Sequence, residues 1–165
     1  MSDNTNKKPL QLSIVIPCYN EEEVLPETVV QMSKLVDEMI AENLVSEASS
    51  IWFVDDGSKD STLELIESYQ LKSPFPIRVV AKDNGGKHTA LNEGVKSACG
   101  DWIFIVDSDD ALPKDSIEVI YKEINLITDD FVGLCFRKAS LDGAILGKPI
   151  ELLNPEEILT PTQAG

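Results

Sequence analysis

Histidine and cysteine are scarce in this 165-residue chain: one histidine, His88, and three cysteines, Cys18, Cys99 and Cys135. A lone histidine beside a glycine pair is read as structural or exposed rather than catalytic. Three cysteines cannot all pair, and none of their spacings suits a metal site. Reduced thiols in a cytosolic protein are therefore expected. Cys18 has no neighbouring cation or base in sequence to make it a reactive thiolate. Basic residues are also few. Lys and Arg number 14 against 29 Asp and Glu, a net charge of −15. That balance excludes nucleic acid or an anionic membrane surface as the main partner. An anionic substrate would have to be held by a metal, by backbone N–H groups, or by local cations such as Arg78, Lys82 and Lys87. No apolar run approaches transmembrane length. Residues 1–9 are polar and lack the apolar segment of a signal peptide, so they read as a flexible tail. The expected setting is the cytoplasm, with association to the inner face of a membrane left to some further region. There is no internal repeat and no low-complexity tract.

What is present suits one globular domain. Hydrophobic residues make up 42%, and a chain of this length can bury roughly 70% of its unfolded surface. Leu10–Pro17 reads as a strand whose ladder Pro17 should end. A helix with one apolar face follows, through Leu25, Val29, Met32, Val36 and Leu44, with Pro26 in its first turn. Ile51–Val54 is a second buried strand. Asp60 and Ser61 read as capping residues, and Ser61-x-x-Glu64 as a capping box that opens a helix burying Leu65, Ile66 and Tyr69. Ile77–Ala81 is a third strand, nearer an edge because Arg78 interrupts it. Gly85-Gly86 turns into a helix through Ala90, Leu91, Val95 and Ala98, closed by Gly100.

Trp102–Val106 is an unbroken apolar run, read as a strand buried on both faces. Ile117, Ile120, Ile124 and Ile127 mark one face of a further helix. Residues 131–137 read as a fifth strand, 141–147 as a hairpin piece around Asp142-Gly143, and Asn154-Pro155 as the start of a last short helix. Strands alternating with helices predict an α/β fold, a mostly parallel central sheet with helices on both faces.

Three loops at one rim carry the candidate chemistry. Tyr19 and Glu21 follow strand one, Asp55 and Asp56 follow strand two, and Asp107 and Asp109 follow strand four. Ligands of open α/β sheets bind at the carboxyl ends of strands. Asp107 and Asp109 are two residues apart and share a side if the chain stays extended. Paired carboxylates need a cation or a raised pKa to coexist, and hard oxygen donors beside a phosphate suit Mg²⁺ or Mn²⁺. A solvated acidic turn capping the next helix fits the same residues. A nucleotide would find stacking surface on Tyr19, an acceptor for its base on Asp56, one for ribose on Asp107, and a metal ligand in Asp109. Lys87, at a helix start after two glycines, suits a phosphate.

Four stretches together resemble glycosyltransferase family 2, with the nucleotide-sugar-binding GT-A fold. They are Ser13–Glu22, Val54–Thr62, Asn84–Lys87 with Ala90–Gly94, and Val106–Asp110. The resemblance spans about residues 11 to 147. It implies a Rossmann-like sandwich that transfers a sugar, with inversion, from a nucleoside-diphosphate sugar, by family frequency a UDP sugar. The acceptor would be an unidentified glycan or lipid-linked molecule in cell-surface or polysaccharide synthesis. By the same likeness, Pro17, Tyr19 and Glu21 line the base pocket and Asp56 hydrogen-bonds the base. Lys87 approaches base or diphosphate. Asp107 and Asp109 form the Asp-x-Asp pair, with Asp109 nearest the metal.

Family members run longer than this chain, and their later part holds the general base, which nothing after Arg137 supplies. The expectation is therefore a C-terminally truncated fold. Residues 10–147 would be the donor-binding domain and 148–165 the start of an incomplete acceptor-side region. A catalytically incomplete nucleotide-sugar-binding module is the alternative. An exposed sheet edge would favour an oligomer. Three other classes fit poorly. A nucleotidyltransferase would carry a glycine-rich, Arg-containing loop after strand one. An aspartyl phosphatase would place Asp-x-Asp after strand one, and a receiver domain would split its acidic pocket between strands one and three.

Overall fold

Seven consecutive residues, Leu12–Cys18, form β1 at the centre of the sheet, and all seven are buried. In a computed structural model, residues 9–73, 75–113, 115–126, 133–134, 136, 138–140 and 142–146 are described. The element order is β1, α1 (Leu25–Ala41), β2 (Ser50–Asp55), α2 (Thr62–Lys72), β3 (Ile77–Ala81), α3 (Lys87–Ser97), β4 (Trp102–Ile105) and α4 (Ser116–Ile124). The four strands make one parallel sheet in the order β3-β2-β1-β4. The chain forms two units, residues 1–122 and 123–165. The sheet and the cleft described below belong to the first.

Alternation along β1 divides the core between two faces. Ile14, Ile16 and Cys18 join Leu25, Val29, Met32 and Val36 of α1, Phe53 of β2 and Ile66 of α2 in the larger cluster. Val15 joins Val54 and Ala90 of α3 in a second. A strand covered on both sides needs apolar residues at every position, which explains why β1 reads as a continuous run. The connections up to β3 thus place α1 and α2 on one face. The β3–β4 connection carries α3 to the other face and delivers β4 to the far side of β1. The chain reverses its direction of travel across the sheet there, and a crevice opens between the tips of β1 and β4.

Pro17 shapes that crevice, and the expectation that it ends the ladder holds on one side only. On the β2 side pairing continues through Pro17↔Val54 and Cys18↔Asp55, and the Asp56 N–H donates to the Cys18 carbonyl at 2.9 Å. On the β4 side the last bond runs from the Val106 N–H to the Val15 carbonyl at 3.1 Å. Pro17, two residues on, faces that same side and has no N–H to extend the pairing.

Other expectations need correction. β4 is not buried on both faces. Among the described residues it is an edge strand, and Ile103 and Ile105 are 37% and 48% exposed. β3 is the opposite edge, as Arg78 indicated. Ser61 stands at the N-cap of α2, but its side chain makes no capping bond. The Asp60 carboxylate caps instead, accepting from the Thr62 N–H at 3.0 Å and the Thr62 hydroxyl at 2.6 Å. Burial pushes the Asp60 carboxyl up, but those bonds outweigh it and hold it below the usual range. Gly100 does not close α3. It passes against β1, where a Cβ would lie 2.6 Å from the Ser13 amide nitrogen. The fifth strand and the last helix fall largely or wholly outside the described residues, as does Ile127. Gly133, Leu134 and Phe136 are described and are not in a strand. In the second unit the Asp142-Gly143 turn is present, with an antiparallel bridge between Ala139 and Ile145.

The inner face of α3 also differs from expectation. Val95 is 42% exposed, while Gly94 is buried against the sheet. A Cβ on Gly94 would sit 2.4 Å from Val15 Cγ1 and 3.0 Å from Val54 Cγ2. Alanine in a helix interior normally gains about 1 kcal/mol over glycine. Here overpacking against two fully buried β-branched side chains costs about 1–3 kcal/mol. Gly94→Ala is therefore expected to lower stability by about 1 kcal/mol rather than raise it. The urea midpoint checks this, and an upward shift would show that α3 moves freely off the sheet.

Candidate functional site

All seven residues singled out from sequence line one cleft of about 510 Å³: Pro17, Tyr19, Glu21, Asp56, Lys87, Asp107 and Asp109. It lies at the carboxyl ends of the strands, where β1 and β4 part. Cys18, Asn84, Gly86, Ala90 and Ser108 complete the lining.

The loop after β1 is fastened to the loop after β2. Asn20 adopts a left-handed φ of 56°, takes the Lys59 N–H on its Oδ1 at 2.8 Å and donates its own N–H to Ser58 Oγ at 2.9 Å. The Glu21 N–H donates to Thr62 Oγ1 at 2.7 Å, and the Glu22 N–H to Asp60 at 3.2 Å. Tyr19 is left 42% exposed, with apolar ring surface available at the cleft. Asp55 accepts from the Ser58 N–H at 3.2 Å and so braces the loop after β2. Burial, aided by the charges of Glu21 and Asp55, pushes the Cys18 thiol far above its ordinary range. It stays an uncharged wall residue.

Asp56 is buried at the rim, only 3% exposed, and heavily hydrogen-bonded. Oδ1 accepts from Lys82 Nζ at 2.5 Å and the Gly85 N–H at 3.1 Å, and Oδ2 from the Gly86 N–H at 2.7 Å. Burial alone would raise the carboxyl. The Lys82 ammonium and the two amides outweigh it and hold Asp56 below the usual carboxylate range. Gly86 has a φ of 89°, a conformation that side chains resist. Asp56 thus fixes the turn from which α3, and Lys87 with it, departs. Sequence pattern marks Lys82 as a local cation but gives no sign that it partners Asp56, 26 residues away. Asn84 and Ser108 carried no signal of their own.

The acidic segment does not stay extended. β4 ends at Ile105, and the Asp110 N–H donates to the Asp107 carbonyl at 3.1 Å, closing a turn. Asp107 and Asp109 both reach the cleft from that turn rather than from one strand face. Lys87 Nζ lies 2.6 Å from Asp107 Oδ1, so the start of α3 and the end of β4 are joined across the cleft. Among the described residues, no three His, Cys, Asp or Glu side chains come together as a metal cage. Two carboxylates at an open cleft fit Mg²⁺ or Mn²⁺ in another way, since such ions commonly take one or two protein carboxylates plus substrate phosphate oxygens.

A parallel sheet with an acidic, partly apolar cleft at its reversal point has the architecture in which open α/β domains bind their ligands. Comparison with known proteins makes this specific. Residues 13–162 match Glycosyl transferase family 2, and the chain belongs to that family. It is similar to the uncharacterized glycosyltransferase YkoT of Bacillus subtilis, 40% identical over 111 residues, which are 66% of this chain and 32% of YkoT. Among solved structures it resembles S. aureus TarS 1-349 in complex with UDP. That likeness has a TM-score of 0.58 and 25% identity over 71% of this chain and 32% of TarS. The mannosyltransferase PcManGT from Pyrobaculum calidifontis, solved with GDP-Man and Mn²⁺, shares the fold at a TM-score of 0.63. Identity there is 21%, over 79% of this chain and 36% of that one. The fold is GT-A. The chain spans about a third of the length of the curated relatives it matches. Among the described residues no helix is long and apolar enough to cross a membrane.

Proposed function

We propose that the cleft binds a nucleoside-diphosphate sugar, with a UDP sugar the first candidate, and serves inverting transfer of that sugar to an acceptor. The observation that carries this reading is the convergence of seven residues, from three strand-end loops and the start of α3, on one cleft. Pro17, Tyr19 and Glu21 would border the base, with Tyr19 offering its ring face. Asp56 Oδ2, which accepts from the Gly86 N–H, has capacity for a donor from the base. Asp107 would meet the ribose. Lys87 would leave Asp107 for the more concentrated charge of the diphosphate.

Asp109, with Asp107, would hold Mg²⁺ or Mn²⁺, and a divalent ion there would stabilise the charge that grows on the departing diphosphate. Residues 10–147 would act as the donor domain, and 148–165 would begin the acceptor side. The general base would lie outside these residues. The acceptor would be a glycan or lipid-linked molecule of cell-surface synthesis, met in the cytoplasm or at the inner face of a membrane.

Isothermal titration with UDP is the direct test. Saturable binding that strengthens with Mn²⁺ is expected. No heat from any nucleoside diphosphate, with or without metal, would end the proposal. A panel of nucleotide sugars then separates an enzyme from a binding module, because a module would release every donor unchanged.

A further inference from the structure

Thr28 lies in the second turn of α1, away from the cleft lining, and is 4% exposed. A threonine inside a helix usually returns its hydroxyl proton to the carbonyl four residues earlier. Here that acceptor, the Val24 carbonyl, is 3.3 Å away, while the Ser108 carbonyl is at 2.5 Å. The short bond therefore leaves the helix and crosses 80 residues of sequence to the acidic turn. Ser108 is itself buried, 5% exposed, and stands between Asp107 and Asp109. Its carbonyl belongs to the peptide unit that carries Asp109. On the other side, the Asp110 N–H to Asp107 carbonyl bond closes the same turn.

The same helix also holds the opposite wall. The Glu21 carbonyl accepts from the Val24 and Leu25 N–H groups at 3.1 and 2.9 Å, so α1 grows directly out of the Tyr19–Glu21 loop. One rigid element therefore fixes both the β1 loop and the β4 turn.

We infer that Thr28 is a positioning residue: its hydroxyl sets the acidic turn against α1 so that Asp107 and Asp109 face the cleft together. Without it the Ser108 carbonyl loses its donor in a buried place, and the turn relaxes toward arrangements in which the two carboxylates no longer share a target. This inference rests on the proposed donor and metal site, but its hold on the turn can be read without any ligand.

Thr28→Val keeps the shape and removes the hydroxyl, while Thr28→Ser keeps the hydroxyl. Two measurements on the full chain decide the matter. Hydrogen exchange of the ligand-free proteins should show faster exchange at residues 108–110 in Thr28→Val, with β1 and β2 amides unchanged, and wild-type protection there in Thr28→Ser. Titration of UDP with Mn²⁺ should weaken about tenfold in Thr28→Val and stay near wild type in Thr28→Ser. Unchanged exchange at 108–110 in Thr28→Val would overturn the inference. Equal losses in both variants, tracking a fall in melting temperature, would also overturn it, because the residue would then act only through packing. If wild type binds no nucleotide, the proposed function fails while the exchange result still judges Thr28.

Discussion

Replacing Asp56 with alanine is expected to lower the unfolding free energy by about 3 kcal/mol, the low end for breaking a buried ion pair. Asp56's side chain is 4% exposed and that of Lys82 19%, so the stranded ammonium reaches some water but not all it needs. The Gly85 and Gly86 N–H groups lose their acceptor in the same step. The melting temperature should fall by roughly 6–12 °C for a domain of this size. Nucleotide affinity should fall as well, because the turn that presents Lys87 is no longer braced.

The pH dependence has a definite sign. The folded carboxyl titrates below its ordinary value of 3.8. Its stabilisation is therefore complete at neutral pH and persists down to about that value. It is lost as the pH falls from there through the lowered folded value. The stability gap between wild type and Asp56→Asn should accordingly be wide at pH 7 and narrow in that acid range. Denaturant melts at several pH values measure it, and a gap independent of pH would show that the carboxylate charge does not brace the loop.

The second large effect belongs to Asp109. Asp109→Asn should weaken the metal-dependent part of UDP binding by about 100-fold or more, beyond the 10- to 100-fold typical of residues that only support a ligand. The melting temperature should barely move, since Asp109 is exposed and substitutions at such positions usually stay within about 0.5 kcal/mol. Titrations with and without Mn²⁺ separate the two contributions. Equal affinity in variant and wild type would place the ion elsewhere. The companion change Asp107→Asn also frees Lys87, but that partly exposed pair is worth only about 0–1 kcal/mol.

The parts of this site legible in sequence were those written in local pattern. Three apolar runs each ended in polar or acidic residues, and a parallel sheet brings such ends to one rim, so Tyr19, Asp56 and Asp109 could be assigned to the same place. Glycines before Lys87 marked the start of α3. The rest depended on partners far apart in sequence. Nothing in the string says that Lys82 reaches back to Asp56, or that Thr28 spends its hydroxyl on Ser108, because a threonine on the inner face of a helix looks like any small core residue. Hydrophobicity points to Val95 for the α3 interface, whereas the close approach of α3 to Val15 at Gly94 demands the absence of a side chain. Trp102–Ile105 is apolar at each position, yet among the described residues it lies at the sheet edge with Ile103 and Ile105 partly open. Composition alone cannot distinguish an edge strand from a central one.

Pro17 carries a consequence for how the molecule keeps its cleft. Any other residue at that position would offer a hydrogen to the Val106 carbonyl, and the two strand tips could fasten one rung further. Each added rung would draw the acidic turn toward Tyr19 and shut the opening from its base. The imide ring makes that zipper stop at a fixed tooth. The gap is thus favoured by a missing atom, because Pro17 offers only its carbonyl, and no hydrogen, to the β4 side.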